Sequence, residues 1–252
     1  MIDTHAHIYD EVFQDDIDLV IDKAKTTGIT QILMPNIDFT SIDRMLKVES
    51  CYPHYCLPMM GLHPCSVKED FETQLEVVEM WVKKRHFIAI GEIGLDLYWD
   101  KSFFEQQKKA FLIQCRWAVE MNLPVVIHCR ESINETIKLL KSMKEPPKGV
   151  FHCFTGDAAQ GEQIIDLGMF LGIGGVATFK NAGMKNVLPL MDSSFMVLET
   201  DSPYLAPVPY RGKRNEPSYI EEVAKKLAVL VSKDISEIKS ITTVNAKNLF
   251  GI

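Results

Sequence analysis

The sequence lacks the segments that would place a protein in a membrane or divide it into domains. No apolar stretch approaches the roughly 18 residues that a membrane-spanning helix needs. No linker rich in proline, glycine or serine interrupts the 252 residues, and no abrupt change in charge divides them. We therefore expect one domain over residues 1–252 and no membrane partner. The opening MIDTHAHIYD resembles neither a signal peptide nor a transit peptide, which predicts a cytoplasmic protein.

Two common site signatures are also missing. The six cysteines form no CxxC pair and no zinc-finger spacing, so reduced structural thiols are the simplest interpretation. No GxGxxG follows the first predicted strand, which argues against a dinucleotide-binding sheet. The net charge of −7 argues against broad, delocalised binding to nucleic acid, but it leaves room for a local phosphate site.

What is present is a regular alternation of strands and helices. Short apolar runs, each flanked by turn residues, alternate with amphipathic segments. The last two predicted helices cover 217–231 and 234–250. Eight repeats at this length predict an α/β fold, a (β/α)8 barrel of the TIM type, with an open doubly wound sheet as the alternative. The predicted strands cover residues 1–5, 30–35, 57–61, 87–91, 124–128, 149–152, 169–174 and 195–199.

Histidines and acids lie at or just beyond the ends of several predicted strands. The active sites of such barrels gather at the carboxyl ends of the strands, so these side chains are expected to meet. Imidazole and carboxylate groups are the ligands that zinc and similar divalent ions accept. The six candidates are His5, His7, Glu92, His128, His152 and Asp201.

The order of these residues predicts a site for two divalent ions. His5 and His7 point the same way along a strand and can hold one ion, with Asp3 orienting an imidazole. Glu92 can bridge both ions through its two oxygens, and His128 and His152 can complete the ligand set of the second ion. Asp201 then either binds the first ion or accepts a proton from water as the catalytic base. Zinc, manganese, magnesium, cobalt and nickel all suit such a mixed set, so the ion is not identified.

Further residues near the strand ends predict contacts with a substrate. His63 ends the third strand and could contact phosphate or an extra ion. Arg130 lies just beyond His128, and Arg211 and Arg214 lie on the loop after the eighth strand, where guanidinium groups could hold phosphates. The Tyr-Trp pair at 98–99 could stack an unpaired base or simply pack at the rim.

Seven motifs in order resemble the TatD family of metal-dependent deoxyribonucleases. The similarity extends from the first residues to the closing TTVNAKNLFG. The motifs are DTHAH at 3–7, GLHP at 61–64, GEIGLD at 91–96, PVVIHCR at 124–130, FHCFTG at 151–156, LETDSP at 198–203 and RGKRNEP at 211–217.

The resemblance implies a distorted TIM-type barrel that hydrolyses DNA with divalent metals, often as a 3′-to-5′ exonuclease on single-stranded or frayed ends, with a role in DNA repair. Carried over by position, His63 matches a residue associated with substrate phosphate, and Glu199 precedes the acidic ligand. The resemblance assigns one ion to His5, His7, Glu92 and Asp201, and the other ion to Glu92, His128 and His152.

Three other functions are compatible with the residues. An amidohydrolase could cleave a cyclic amide, a lactone or a small phosphoester, although many such enzymes bridge their metals with a modified lysine where this chain has Glu92. An aminoacyl-tRNA deacylase would release an amino acid and leave the RNA intact. A non-catalytic scaffold with a structural metal is disfavoured, because structural zinc has a closed shell of four ligands.

Overall fold

Eight parallel strands form the centre of the computed structural model, which describes residues 1–252. All eight coincide at least in part with predicted strands. They are β1 (Ile2–Asp3), β2 (Gln31–Met34), β3 (Cys56–Pro58), β4 (Ile90–Asp96), β5 (Val125–Arg130), β6 (Gly149–Phe151), β7 (Phe170–Ile173) and β8 (Met196–Leu198).

Helices connect the strands and two more follow the last strand. None of them is both long and apolar enough to cross a membrane. They are α1 (Ile17–Thr26), α2 (Ile42–Cys51), α3 (Phe71–Lys84), α4 (Phe104–Met121), α5 (Ile133–Ser142), α6 (Ala158–Asp166), α7 (Met184–Val187), α8 (Ile220–Leu230) and α9 (Ile235–Phe250).

The strands close into a barrel through two seams. Strands β1 to β3 form one ladder and β4 to β8 another. A bridge between Met60 and Ile90 joins the ladders on one side, where the Gly91 amide donates to the Met60 carbonyl over 3.0 Å. On the other side Ala6 pairs with Ser202. The predicted (β/α)8 fold is therefore confirmed, and the open doubly wound sheet is excluded because such a sheet has two free edges.

Successive residues of a strand supply two different apolar layers. In β2, Leu33 belongs to an inner cluster of 11 buried residues, whereas its neighbours Ile32 and Met34 belong to an outer cluster of 50 that packs against the helices. Helix α9 adds Leu249 and Phe250 to the inner cluster. The interior is thus filled by side chains, as in other barrels of this type, and the carboxyl ends of the strands carry the polar residues.

Strand β4 follows a different course from the prediction. The predicted strand ends at Gly91, but β4 runs on to Asp96 and contains Glu92. Its register against β5 shifts between Gly91 and Ile93, so Glu92 lies in a bulge, and its amide donates to the Asn36 carbonyl over 3.0 Å. Such a bulge redirects a side chain, and here it places Glu92 among the histidines. Strand β5 likewise continues two residues beyond its predicted end.

The sequence predicts two helix caps, a capping box of Ser132 with Glu135 and a cap at Asp157, and the two predictions have different outcomes. Asp157 caps α6 and forms a full capping box with Gln160, which confirms its predicted role. The predicted capping box of Ser132 with Glu135 is wrong. The Ser132 hydroxyl instead donates to the Leu95 carbonyl over 2.6 Å, which ties the start of α5 to β4.

Candidate active site

Five imidazoles surround the carboxylate of Glu92 and divide between its two oxygens. Oε2 lies 3.1 Å from His5 Nε2 and 3.5 Å from His7 Nε2. Oε1 faces the other three rings, at 3.1 Å from His128 Nδ1, 3.2 Å from His152 Nε2 and 3.4 Å from His63 Nε2.

Asp201 completes the side of the site that His5 and His7 form. Its Oδ1 lies 3.7 Å from the Nε2 atoms of both rings. The residue adopts φ +57°, an uncommon left-handed conformation, and its amide donates to the His5 carbonyl over 2.9 Å. The seam between the first and last strands therefore positions Asp201 next to the first two histidines.

Close contacts between neighbouring backbone segments position Glu92 and His128. A Cβ atom on Gly61 would lie 2.8 Å from the Gly91 carbonyl carbon, so only glycine lets the segment after β3 run so close to the bulge. Gly94 has φ +145°, and a Cβ atom there would lie 2.0 Å from the His128 carbonyl oxygen. These glycines allow β4 to pass tightly between its neighbours.

The hydrogen-bond partner of the ring nitrogen that points away from Glu92 bears on which nitrogen carries the ring hydrogen. The Tyr9 hydroxyl donates to the Pro35 carbonyl over 2.5 Å, so it accepts from His7 Nδ1 at 2.9 Å. The hydrogen of a neutral His7 therefore lies on Nδ1, which leaves the lone pair of Nε2 free to bind a metal.

Carboxylates fix two more rings in the same way. Asp96 Oδ2 lies 2.9 Å from His128 Nε2, and Glu199 Oε1 lies 3.2 Å from His152 Nδ1. Both nitrogens of each ring therefore face a carboxylate, since Glu92 Oε1 lies on the other side. When a metal takes the nitrogen that faces Glu92, the ring hydrogen lies on the nitrogen beside Asp96 or Glu199. Carboxylate partners of this kind orient metal-binding histidines and raise their basicity.

His63 has the opposite arrangement. The Cys65 amide donates to His63 Nδ1 over 3.1 Å, so a neutral His63 carries its hydrogen on Nε2. Nε2 lies 3.4 Å from Glu92 Oε1. Although His63, Glu92 and His128 lie close enough together to hold an ion, the hydrogen bond from the Cys65 amide favours His63 as a hydrogen-bond donor through Nε2.

Burial shows which side of the site is accessible. The residues His5, His7, Glu92 and His152 are at most 5% exposed. The side chains of His128, His63 and Asp201 are partly exposed, and they form the open side. Burial raises the pKa of Asp201 to about 6. Burial also opposes ionisation of Glu92, but the imidazoles of His5, His63 and His152 hold its pKa well below the usual range.

The donor set fits divalent cations. Three ring nitrogens converge on the buried Glu92 carboxylate from 3.1 to 3.5 Å, and a buried carboxylate requires compensating positive charge, which protonated rings or metal ions supply. His5 Nδ1 is buried and has no hydrogen-bond partner in the protein. Three groups have ligand atoms close enough to share an ion: His5 with His7 and Glu92, His5 with His152 and Asp201, and His63 with Glu92 and His128.

A family model described as TatD related DNase matches residues 2–251. The chain belongs to this family. It is 38% identical over its whole length to YabD of Bacillus subtilis, an uncharacterized metal-dependent hydrolase of which 99% is covered. It is 31% identical to the 3′-5′ ssDNA/RNA exonuclease TatD of Erwinia tasmaniensis, with all of both chains covered. The crystal structure of YjjV, a TatD homologue from Escherichia coli K12, matches with a TM-score of 0.93 at 27% identity and covers 100% of this chain and 98% of that one. The chain is therefore a TatD-family metal-dependent hydrolase.

The sequence predicted that Asp3 orients an imidazole, and this prediction is wrong. In this TatD-family protein Asp3 instead links β1 to the segment after β8. Its carboxylate accepts from the Thr200 hydroxyl at 2.6 Å, from the Thr200 amide at 2.9 Å and from the backbone amide of His5 at 3.3 Å. These bonds fasten β1 to the segment after β8. Burial raises the pKa of Asp3 to about 8.

The three predicted phosphate-binding arginines have different surroundings. Arg130 lies over the ring of Tyr98, with 3.7 Å from Cζ to the ring centroid, and Arg211 lies over Phe179 at 3.8 Å. Arg214 instead donates to both oxygens of Asp16, at 2.8 and 2.6 Å. The guanidinium of Arg214 is therefore engaged within the protein, and its substrate role stays a prediction.

Two residues that position the site were not predicted from the sequence. Asp96 orients His128, and the only signal for it is its place in the GEIGLD motif beside Glu92. Tyr9 orients His7, and its spacing of two residues from His7 places both on one face of the chain. His54 and His86 are exposed and lie outside the site.

Proposed function

We propose that this chain hydrolyses the phosphodiester bonds of nucleic acid with two divalent ions, and that it removes nucleotides from the 3′ end of single-stranded DNA. The observation that carries the proposal is the division of the Glu92 oxygens between two sets of imidazoles. A carboxylate that faces donors on both sides suits a bridge between two ions, as in many phosphodiester hydrolases.

The name of the Erwinia tasmaniensis relative, a 3′-5′ ssDNA/RNA exonuclease, supports a nucleic-acid substrate. In our assignment His5, His7, Glu92 and Asp201 hold one ion, whereas Glu92, His128 and His152 hold the other. When bound, such ions withdraw charge from phosphoryl oxygens and lower the pKa of water. Zinc, manganese, magnesium, cobalt and nickel are all compatible with these donors.

The chain's own residues supply the remaining chemistry. The Asp201 carboxylate accepts a proton from the attacking water, whose oxygen bonds to phosphorus. The bond between phosphorus and the 3′ oxygen of the shortened strand breaks, and that oxygen takes up a proton from solvent. His63 donates its Nε2 hydrogen to a phosphoryl oxygen, where negative charge increases in the transition state.

The test uses metal-stripped protein and single-stranded DNA labelled separately at each end, with one divalent metal added at a time. We expect stepwise loss of nucleotides from the 3′ end, restored by metal and absent in Glu92→Ala. Glu72→Gln, which changes an exposed acid on α3, is the matched control and should keep full activity. Calorimetry of each variant reports metal binding separately from turnover.

Other outcomes would redirect the assignment. If Glu92→Ala cleaves as well as the wild type, or if no metal restores cleavage, the DNA assignment is wrong. Hydrolysis of a lactone or cyclic amide would then favour an amidohydrolase, and release of an amino acid from intact tRNA would favour a deacylase. Participation in DNA repair and a cytoplasmic location stay predictions.

A further inference from the structure

An exposed aromatic pair stands beside the open side of the site. Trp99 is 69% exposed and Tyr98 is 49% exposed, and both follow the carboxyl end of β4. The other two tryptophans, Trp81 and Trp117, are half-buried and buried. Aromatic rings of this size usually bury most of their surface, so an indole left in solvent next to a catalytic site indicates a ligand surface.

Arg130 gives this pair a positive charge. It is the last residue of β5, and its Cζ lies 3.7 Å from the Tyr98 ring centroid and 5.3 Å from that of Trp99. Three of the other arginines, Arg44, Arg85 and Arg214, form ion pairs with carboxylates. Arg130 has no carboxylate partner, so its N–H donors remain available to an anion.

Asp96 connects the aromatic pair directly to the site. Its Oδ1 accepts from the amides of Tyr98 and Trp99, at 2.9 and 3.0 Å, while its Oδ2 contacts His128 Nε2 at 2.9 Å. The buried side chain of Asp96 thus fixes both the turn that carries Tyr98 and Trp99 and the partly exposed imidazole of His128. The aromatic pair is therefore separated by one side chain, Asp96, from His128, which the proposed function assigns to one of the two ions.

We propose that Trp99 and Arg130 form a nucleotide subsite, in which an unpaired base stacks on the indole and the guanidinium contacts the phosphate of the same nucleotide. The inference rests on the proposed function and adds that the nucleotide belongs next to the cleaved bond. A flat ring beside a cation matches a base beside its phosphate. Because every base has a π face, the subsite tolerates any sequence, but it requires the base to be unstacked from a duplex.

The experiment combines removal of the ring with removal of the base. Steady-state kinetics compare an oligothymidylate with an oligonucleotide that carries a base-free tetrahydrofuran unit at each of the last three positions of its 3′ end. We expect Trp99→Ala to raise KM for oligothymidylate on the order of 10-fold, since stacking of one base on an aromatic ring contributes about that much. Its kcat should change little, because the ring does not touch the reacting atoms.

Two comparisons make the result specific. For the base-free substrate, wild type and Trp99→Ala should have equal KM values, since the base that stacks is gone. Trp99→Phe should recover most of the affinity. Trp81→Ala is the matched control, because Trp81 also carries a cation, with Lys84 Nζ 4.6 Å from its ring centroid, but lies on α3 away from the site.

A binding measurement without turnover completes the test. Phosphorothioate oligothymidylate, which resists hydrolysis, should quench the fluorescence of the metal-loaded wild type, and Trp99→Phe should lose this quenching. Equal KM increases for both substrates in Trp99→Ala would overturn the subsite and indicate a structural role for the ring. If the wild type degrades DNA and Trp99→Ala matches it, only this inference fails. If the wild type neither binds nor degrades any oligonucleotide, the proposed function fails with it.

Discussion

At the residue scale, the histidines of the site differ in the hydrogen-bond partner of the ring nitrogen that points away from the proposed ions. His128 and His152 donate to carboxylates, whereas His7 donates to a tyrosine hydroxyl. His5 Nδ1 has no partner at all. A carboxylate partner makes a ring a stronger metal ligand than a neutral partner does. We therefore expect the ion on the side of His128 and His152 to bind more tightly than the ion on the side of His5 and His7.

Tyr9→Phe tests this difference. The substitution removes the acceptor of the His7 Nδ1 hydrogen and leaves the ring free to turn, so the weaker ion should lose roughly 10- to 100-fold in affinity. The tighter ion should be unaffected. Calorimetric titration of the metal-free protein with Mn²⁺ or Zn²⁺ resolves the two events.

Tyr55→Phe provides the matched control for Tyr9→Phe. The Tyr55 hydroxyl also donates to a backbone carbonyl, that of Ile29 at 3.2 Å, but it makes no contact with a histidine. Tyr55→Phe should cost about 1 kcal/mol of stability for its one hydrogen bond, and Tyr9→Phe should cost more, because Tyr9 loses two. Equal affinity loss for both ions in Tyr9→Phe, or any loss in Tyr55→Phe, would contradict the assignment.

At the scale of secondary-structure elements, the bulge in β4 determines the geometry of the site. Its register shift places Glu92 opposite no residue of β5, so the side chain is free to turn toward the histidines. Pairing resumes at Ile93 in a register shifted by one residue, and Gly94 lies opposite His128. The local geometry depends on glycine at that position, because a larger residue would collide with backbone atoms that cannot move aside.

Gly94→Ala should therefore abolish metal binding at Glu92 and His128 and destabilise the fold by more than about 1 kcal/mol. Gly28→Ala is the control, since Gly28 also has positive φ, at +86°, but a Cβ atom there meets nothing within 4 Å. It should cost only about 1 kcal/mol and leave metal binding intact. Urea unfolding and calorimetry measure the two effects. Intact metal binding in Gly94→Ala would show that the strand can move aside.

The same strand shows how far the sequence predicts this fold. All eight strands were found because each is a short apolar run that turn residues bound, and the six ligand candidates were found because they lie at or near the ends of these runs. The course of β4 past Gly91 was not found, since a bulge arises from pairing with neighbouring strands and leaves little local signal. The ion pair of Arg214 was missed for a similar reason, because its partner Asp16 lies 198 residues away.

Arg214 joins two elements that are distant in sequence. It donates to Asp16, the residue before α1, and to the Val12 carbonyl at 2.6 Å, while its Cζ lies 4.5 Å from the Phe13 ring centroid. The hydrogen bonds and charge of Arg214 lower the pKa of Asp16. A carboxyl whose pKa is lower in the folded state stabilises the fold above its unfolded pKa of about 3.9, and this stabilisation is lost as the pH falls through the folded value.

Arg214→Met should consequently lower the free energy of unfolding at pH 7 by no more than about 1 kcal/mol, because the pair is partly exposed. The difference from the wild type should shrink when both proteins are unfolded in urea below the folded pKa of Asp16. The variant keeps the packing on Phe13 and should keep its KM for oligonucleotides. A raised KM with a stability difference that does not vary with pH would instead support the predicted phosphate contact.

At the scale of the whole molecule, the site joins both ladders of the barrel. His5 and His7 follow β1 in the smaller ladder, whereas Glu92, His128 and His152 belong to or follow strands of the larger one. Both seams meet there as well, since Gly91 pairs across one seam and Asp201 across the other. The prediction of one domain over residues 1–252 stays a prediction, although the outer apolar cluster extends from Ala6 to Ile238.

Because its donors come from both ladders, an ion in this site would link the whole barrel. Any ligand that binds only the folded state adds RT ln(1 + [L]/Kd), which is about 2.7 kcal/mol at 100 times Kd. We therefore expect the melting temperature of the metal-free protein to rise with Mn²⁺ concentration. Glu92→Gln keeps the shape of the side chain but loses the charge that faces both sets of imidazoles, so its melting temperature should respond far less.

Glu72→Gln, which changes an exposed acid, should respond to Mn²⁺ like the wild type. Unfolding should remain a single transition at every concentration, because the donors of one site come from both ladders and neither ladder can open alone while the ions are bound. An equal response of Glu92→Gln would mean that the stabilising ions bind elsewhere. Two separate transitions, only one of which moves with Mn²⁺, would mean that the ladders unfold independently and that the site does not connect them.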